Sequence, residues 1–179
     1  MMHTDLPLKI RDVVISDDLD DVRRLWLSYL VWGNNEMQAL YGIHPHNPAE
    51  AVEQDLERID KFQPPRGRLL LAVCEGNVCG LGSLKSITPG IGEIKRMFVD
   101  PNFRRVGAGR ALLEGLLAEA RKAGYKKVRL DSPKFMEAAH ALYRSVGFRD
   151  IAAYPEMEIP AEFKDYLLFM ELDLLSTAK

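Results

Sequence analysis

The residues most able to do chemistry sit between Glu93 and Leu113, in the run Glu-Ile-Lys-Arg-Met-Phe-Val-Asp-Pro-Asn-Phe-Arg-Arg-Val-Gly-Ala-Gly-Arg-Ala-Leu-Leu. Ile94 to Val99 is rich in β-branched and aromatic residues. Asp100-Pro101-Asn102 stops that strand, and the Ala/Leu/Glu-rich run after Gly107 has helical spacing. The pattern is therefore strand, loop, helix, with Arg104 and Arg105 in the loop ahead of Gly107 and Gly109. A helix begins with N–H groups that have no intrahelical partner and with the positive end of its dipole. Arginines and glycines placed there bind phosphate.

Two well-known phosphate loops do not fit. A P-loop needs Gly-Lys-Ser/Thr at its helix start, and here Gly109-Arg110-Ala111 stands instead. A dinucleotide fingerprint fails because Leu112 replaces its third glycine and because residues 100–106 intervene where it needs a tight turn directly off the strand. The spacing Arg104-x-x-Gly107-x-Gly109 resembles instead the Arg/Gln-x-x-Gly-x-Gly/Ala signature of the GNAT superfamily of N-acetyltransferases. The preceding strand is similar to the Glu-x-Lys-Arg-Leu/Met-Tyr/Phe-Val strand of many bacterial members. Downstream, Ala139-x-x-x-Tyr143-x-x-x-Gly147-Phe148 resembles the superfamily's second signature. Together these matches cover residues 91–152, and a looser likeness extends over most of the chain.

The resemblance implies a role for each of several residues. Glu93 stands where the histone-acetyltransferase branch has its catalytic glutamate. A primary amine, with a pKa of about 10.4, is charged at neutral pH and must lose a proton before it can attack. The Met97 backbone N–H would hold the thioester carbonyl, with Phe98 and Val99 continuing main-chain contacts to the pantetheine arm. Arg104, Arg105, Val106, Gly107, Ala108, Gly109 and Arg110 would wrap the diphosphate of acetyl-CoA. Tyr143 would protonate the departing sulfur. Met136 occupies the place where an asparagine commonly opens the second signature, which removes one side-chain contact to the cofactor arm. Acetyl-CoA is the expected cosubstrate, with no metal, and direct transfer in a ternary complex the expected route. No cysteine lies in the presumed catalytic strands to carry a covalent acetyl group. A CoA-binding sensor without turnover and a nucleotide or NAD binder are the alternatives.

The elements that position these residues are legible in outline. Residues 8–15 form a first strand. Ser16 or Asp17 caps a helix whose apolar positions run from Leu19 to Trp32 at helical spacing, and Gly33-Asn34-Asn35 ends it. Residues 33–48 then read as an irregular loop carrying Tyr41, His44 and His46, followed by a helix of residues 49–62 capped by Asn47-Pro48. Leu69–Glu75 and Val78–Ile87 make a hairpin, turned by Gly76-Asn77, that sets Cys74 opposite Cys79 as two buried thiols. The Glu93 strand follows. After it come the helix of residues 107–122, a strand of residues 126–131, a helix of residues 134–146 and two last strands. The order is that of an α+β or mixed α/β sheet. The resemblance adds a twisted sheet of about six to seven strands, in which the parallel fourth and fifth strands splay around the pantetheine, helped by a bulge near Met97-Phe98. Trp32, Tyr41, His44, His46 and Tyr154 are expected to line the acceptor pocket.

Composition sets the outer bounds. The 179 residues are 47% apolar and 28% charged, which suits one domain over residues 1–179 with a core that needs no metal or disulfide. The longest apolar runs are too short to span a bilayer, and acidic residues near the N-terminus argue against a signal peptide, so a cytoplasmic protein without a membrane partner is expected. A net charge of −2 speaks against nucleic acid. Residues 93–129 hold ten Lys/Arg against four Asp/Glu, whereas residues 1–62 hold six against twelve. The basic middle suits an anionic cofactor, and the acidic front end would tolerate a cationic acceptor. The acceptor itself, a small-molecule amine or a protein amine, is left open. A homodimer is expected by family habit.

Overall fold

The computed structural model describes residues 8–176. Seven strands form one sheet: β1 (Leu8–Asp12), β2 (Arg68–Cys74), β3 (Asn77–Thr88), β4 (Ile91–Val99), β5 (Lys127–Pro133), β6 (Arg149–Ile151) and β7 (Leu167–Asp173), in spatial order β1-β2-β3-β4-β5-β7-β6. Only β4 and β5 pair in parallel, as expected; every other ladder is antiparallel. Four helices pack on the sheet: α1 (Ile15–Tyr41), α2 (Pro48–Glu57), α3 (Ala108–Lys122) and α4 (Glu137–Ser145). One core lies under α3, where Leu112, Leu113, Leu116 and Ala120 are fully buried against Leu70, Ala72, Val128 and Met170. A second lies under α1, with Trp26 edge-on to Phe62 at 5.8 Å among Val22, Leu25, Leu71 and Leu81.

Strand β1 is shorter than the sequence suggests, because α1 starts earlier. Its N-cap is Val14, whose N–H is accepted by the Asp18 carboxylate at 2.7 Å, and Asp18 also takes a bidentate pair from Arg11 at 2.6 and 2.8 Å. The Arg11 hydrogen bonds are the largest influence holding the Asp18 pKa below the usual carboxylate range, outweighing the opposing effect of burial. A carboxylate whose folded pKa is depressed stabilises the fold above its unfolded pKa and loses that contribution as pH falls through the folded value. Asp18→Ala is therefore expected to lower stability by about 1–2 kcal/mol at neutral pH. Urea denaturation should show the gap closing in acid, with turnover per folded molecule unchanged.

Helix α1 does not stop at Gly33-Asn34-Asn35. It runs two and a half turns further, to a left-handed Gly42 whose N–H donates to the Gln38 carbonyl at 3.0 Å. A glycine inside a helix costs about 1 kcal/mol relative to alanine, and tertiary contacts outweigh it here. Asn34 is buried and donates from Nδ2 to the His46 carbonyl at 2.6 Å, and Met37 is buried one turn later. Helix α2 begins as expected, with the Asn47 side chain accepting from the Ala49 and Glu50 N–H groups. It ends at Glu57, and a single 3-10 turn (Ile59–Phe62) completes the stretch. Helix α4 is also shorter than its pattern, because β5 keeps pairing with β7 as far as Pro133 opposite Leu167.

The hairpin turns one residue earlier than expected. Glu75 and Gly76 occupy the two central positions with φ of 50° and 81°, the handedness that a two-residue hairpin turn requires. Cys74 thus pairs with Asn77. The ladder next sets Val73 against Val78 and Ala72 against Gly80, so Cys79 is the extra residue of a bulge and does not face Cys74. Both thiols are free and buried.

Candidate active site

The parallel ladder between β4 and β5 is only three pairs long and closes at Glu93 opposite Arg129. Beyond it the strands part. The β3–β4 ladder changes register at the same level: Ser83 faces Lys95 and Leu81 faces Phe98, so Arg96 and Met97 have no partners, and Arg96 takes a φ of 53°. The bulge therefore lies at Arg96-Met97, one residue before its expected place. Two departures from regular pairing, one on each edge of β4, open a wedge in the sheet and re-aim the backbone around Met97. A small cavity of about 40 Å³ marks the wedge, and Met97, Ser132 and Tyr143 are among its lining residues.

At the outer end of β4, Asp100 accepts from the Asn102 N–H and starts a 3-10 turn (Pro101–Phe103). Arg105 and Gly107 are both left-handed, with φ of 70° and 82°, and no side chain caps the first turn of α3. Left-handed residues alternating with ordinary ones make successive N–H groups converge on one concavity, which suits an anion. Packing does not explain the glycines. A Cβ on Gly107 would meet nothing within 4 Å, and one on Gly109 would meet only Leu142 at 3.7 Å and Val99 at 4.0 Å. The space in front of these amides is thus kept open on the ligand side, and the loop fits the diphosphate expected of it. Arg104 lies over the Trp32 ring at 5.8 Å, and neither Arg104 nor Arg105 has an ion-pair partner among the described residues. Arg110 is held along the helices instead, donating to Ser145 Oγ at 3.0 Å and pairing with Glu114 at 3.6 Å.

Inward from the loop, alternation along β4 puts Glu93 and Lys95 on one face, and alternation along β5 puts Arg129 and Asp131 on the matching face. Where the strands separate, side chains span the gap. Lys95 Nζ lies 2.9 Å from Glu93 Oε1 and 2.8 Å from Asp131 Oδ2. Burial works against the Lys95 charge, but the two carboxylates outweigh it and raise its pKa. Glu93 is fully enclosed. Burial, with the Asp131 charge adding to it, raises its pKa above the ordinary value despite Lys95. Two carboxylates around one ammonium carry an excess negative charge, and burial of Glu93 adds to the cost of holding it there.

On the far side of this trio lies a cleft of about 600 Å³ between α1, α2, the 3-10 turn after it and the loop of residues 158–163. The cleft and the wedge meet at Lys95, Arg96 and Asp131. Glu93 borders neither, and Asp131 is the member of the trio's acids that faces both. Of the five aromatic and histidine positions named from sequence, four lie elsewhere. Trp32 packs on Phe98 and Phe135 beneath Arg104, Tyr41 stacks on Tyr166 at 4.9 Å, and His44 is exposed. Tyr154 is buried beside Phe169 and Arg129, close enough to Glu93 that burial first, and that carboxylate second, raise its phenol pKa. His46, by contrast, does line the cleft. Tyr143 is buried 5.8 Å from Phe148 with its ring against the wedge, and burial raises its pKa. Sequence reading left out Lys95, Asp131, Asp55 and Arg96. The signal for the first two was their alternation with Glu93 and Arg129; for Asp55 and Arg96, which are joined at 2.8 Å across the fold, there was none.

Comparison with known proteins agrees with this geometry. A 105-residue stretch is 41% identical to an IAA acetyltransferase of Azospirillum brasilense, covering 58% of this chain and 67% of that one. An N-acetylaspartate synthetase of Rattus norvegicus is 33% identical over 113 residues, 62% of this chain but only 38% of that longer protein. Among solved structures, the PaiA N-acetyltransferase of Thermoplasma acidophilum, determined with coenzyme A, superposes with a TM-score of 0.70 at 18% identity, covering 94% of this chain and 99% of that one. A sequence profile described as the Acetyltransferase (GNAT) family matches residues 21–148, from within α1 to the residue before β6. The chain belongs to the GNAT acetyltransferase family.

Proposed function

We propose that the protein transfers an acetyl group from acetyl-CoA directly to a primary amine, with both substrates bound at once. The observation that carries this reading is the meeting of two spaces at one buried trio. The wedge and the cleft share Tyr29, Lys95, Arg96, Asp131 and Met136, where β4 and β5 part. Acetyl-CoA supplies an activated acyl group on a thiol leaving group.

The protein's residues divide the remaining work. Amides of residues 105–110, with the Arg104 and Arg105 guanidinium groups, hold the diphosphate. The Met97 N–H, with main-chain groups of Phe98 and Val99 in line behind it, holds the carbonyl oxygen in a site that needs no reorganisation as charge develops. The acceptor ammonium gives its proton to Asp131 at the cleft wall. Glu93 completes the base: as Asp131 takes up the proton, Glu93 keeps the buried Lys95 charge neutralised, and the excess of carboxylates over ammonium in the trio supports that reading. As the carbon–sulfur bond breaks, Tyr143 gives its hydroxyl proton to the departing sulfur, and the second proton that the attacking nitrogen sheds as the amide forms replaces it. Tyr154 packs behind Glu93, and Trp32 supports Arg104.

Incubation with acetyl-CoA and a panel of amines, following free thiol, tests the reading. Thiol release that depends on the amine, and linear double-reciprocal plots that intersect, are expected. Coenzyme A binding without thiol release from any amine would favour a sensor, and parallel plots would point to a covalent acetyl-enzyme.

A further inference from the structure

The cleft has a charge pattern of its own, and it differs from what the chain's composition suggests. The acidic residues of the N-terminal third lie mostly on outer faces: Asp20 and Glu53 pair with Arg23, and Asp21 pairs with Arg24. Only Asp55 from that region borders the cleft. Around it stand Arg58, Lys61 and Arg96. Arg96 lies 2.8 Å and Lys61 3.0 Å from the Asp55 carboxylate, so two cations share one acid. Burial pushes the Asp55 pKa up, but Arg96 and Lys61 outweigh it and hold it low, which keeps that carboxylate fully ionised at neutral pH. Arg58 has no ion-pair partner among the described residues.

The other charges facing this wall do not cancel the excess. Glu158 borders the cleft but is bound to Lys85. His46 has its pKa lowered, by burial first and by the Arg96 charge second, and so stays uncharged near neutrality. Elsewhere in the lining Asp131 brings the reverse sign, because Lys95, 2.8 Å away, divides its single charge between Asp131 and the enclosed Glu93. The lining also has an apolar part, with Leu30, Met37, Phe62, Ile159 and Phe163. One buried acceptor is also unused: Asn34 lines the cleft, and its Oδ1 has no hydrogen-bond partner.

We infer that the acceptor of the proposed acetyl transfer is an amine that also carries a carboxylate, with its ammonium toward Asp131 and its carboxylate toward Arg58, Lys61 and Arg96. This deepens the transferase reading and rests on it. A plain monoamine or polyamine would leave the cationic wall facing nothing, and a second ammonium near it would be repelled in a partly desolvated cleft. A carboxylate there gains charge-assisted hydrogen bonds that Asp55 alone does not exhaust.

The test uses the whole protein and matched pairs that differ only in the carboxylate: phenylalanine with phenethylamine, lysine with cadaverine, and 5-aminovalerate with pentylamine. At fixed acetyl-CoA, the carboxylate member of at least one pair is expected to exceed its partner in kcat/KM by about 100-fold, and the pair that shows it reads the spacing between the two ends. Arg58→Met with Lys61→Met should cut that ratio by about tenfold or more through the KM of the carboxylate-bearing acceptor, with kcat/KM for phenethylamine and pentylamine no lower than in wild type and the KM for acetyl-CoA unchanged. Turnover of plain amines with no gain from a carboxylate, or a ratio unmoved by the double substitution, would overturn this inference while leaving the transferase reading intact. Absence of thiol release from every amine would remove both.

Discussion

Replacing Asp131 with Asn is expected to lower kcat at neutral pH by about 100-fold or more, the range that a positioned base contributes, with little change in the KM for acetyl-CoA. Glu93→Gln should also lower kcat, and combining the two should cost much less than the product of the separate effects. The reason lies in the trio's charge. With both acids present, Lys95 is outnumbered and the group takes a proton readily; removing either acid leaves a neutral pair with no such appetite. The pH profile separates this from a general loss of structure. Burial and the neighbouring Asp131 charge raise the Glu93 pKa, so the acid limb of kcat/KM should lie above the ordinary carboxylate range of about 4. In Glu93→Gln the carboxyl with the raised pKa is gone, and the limb should move to lower pH. Steady-state rates across pH measure this directly. An unchanged limb in Glu93→Gln, or full activity in Asp131→Asn, would assign the base elsewhere.

The second large effect concerns the cofactor loop. Arg104→Glu with Arg105→Glu should raise the KM for acetyl-CoA by about 100-fold or more, since each charge-assisted hydrogen bond to phosphate is worth about 1.5–3 kcal/mol and the new carboxylates repel the diphosphate. Folding stability should change far less. Neither arginine has an ion-pair partner among the described residues to lose, and the stacking of Arg104 on Trp32 is an exposed contact of about 0.5–1 kcal/mol. Thermal melts without ligand should therefore nearly coincide for variant and wild type, while the stabilisation produced by adding coenzyme A should shrink sharply in the variant. Equal stabilisation of both proteins by coenzyme A would mean that the phosphates rest on other residues.

The half of the candidate site proposed for the cofactor is contiguous in sequence. Strand, bulge, loop and helix start all fall between Glu93 and Arg110, so types and spacing alone suggest an anion on amides that have no partner. The parallel pairing of the fourth and fifth strands followed from the resemblance, and the succession of strands and helices along the chain from the alternation of their patterns. The acceptor half was not readable, because it is assembled from distant pieces. Asp55, Arg96 and Asp131 are far apart in sequence and meet only after the sheet has formed. Gly33-Asn34-Asn35 has the composition of a helix stop, yet Asn34 finds the His46 carbonyl and Met37 finds the core, so tertiary contacts carry α1 to Tyr41 and build one wall of the cleft. Trp32 has the composition of a pocket aromatic, but continuation of the helix sets it against Phe98, Phe135 and Arg104. The two cysteines show the same limit on a smaller scale. A turn at Glu75-Gly76 instead of Gly76-Asn77 changes which residues face each other across a whole hairpin.

A crystal structure of the protein with coenzyme A bound tests the central claim most directly, because the fold offers an anion two cationic surfaces. The account predicts the diphosphate on the amides of residues 105–110, the pantetheine in the wedge between β4 and β5, and the sulfur beside Tyr143. Phosphates found instead against Arg58, Lys61 and Arg96, with the wedge closed, would contradict it.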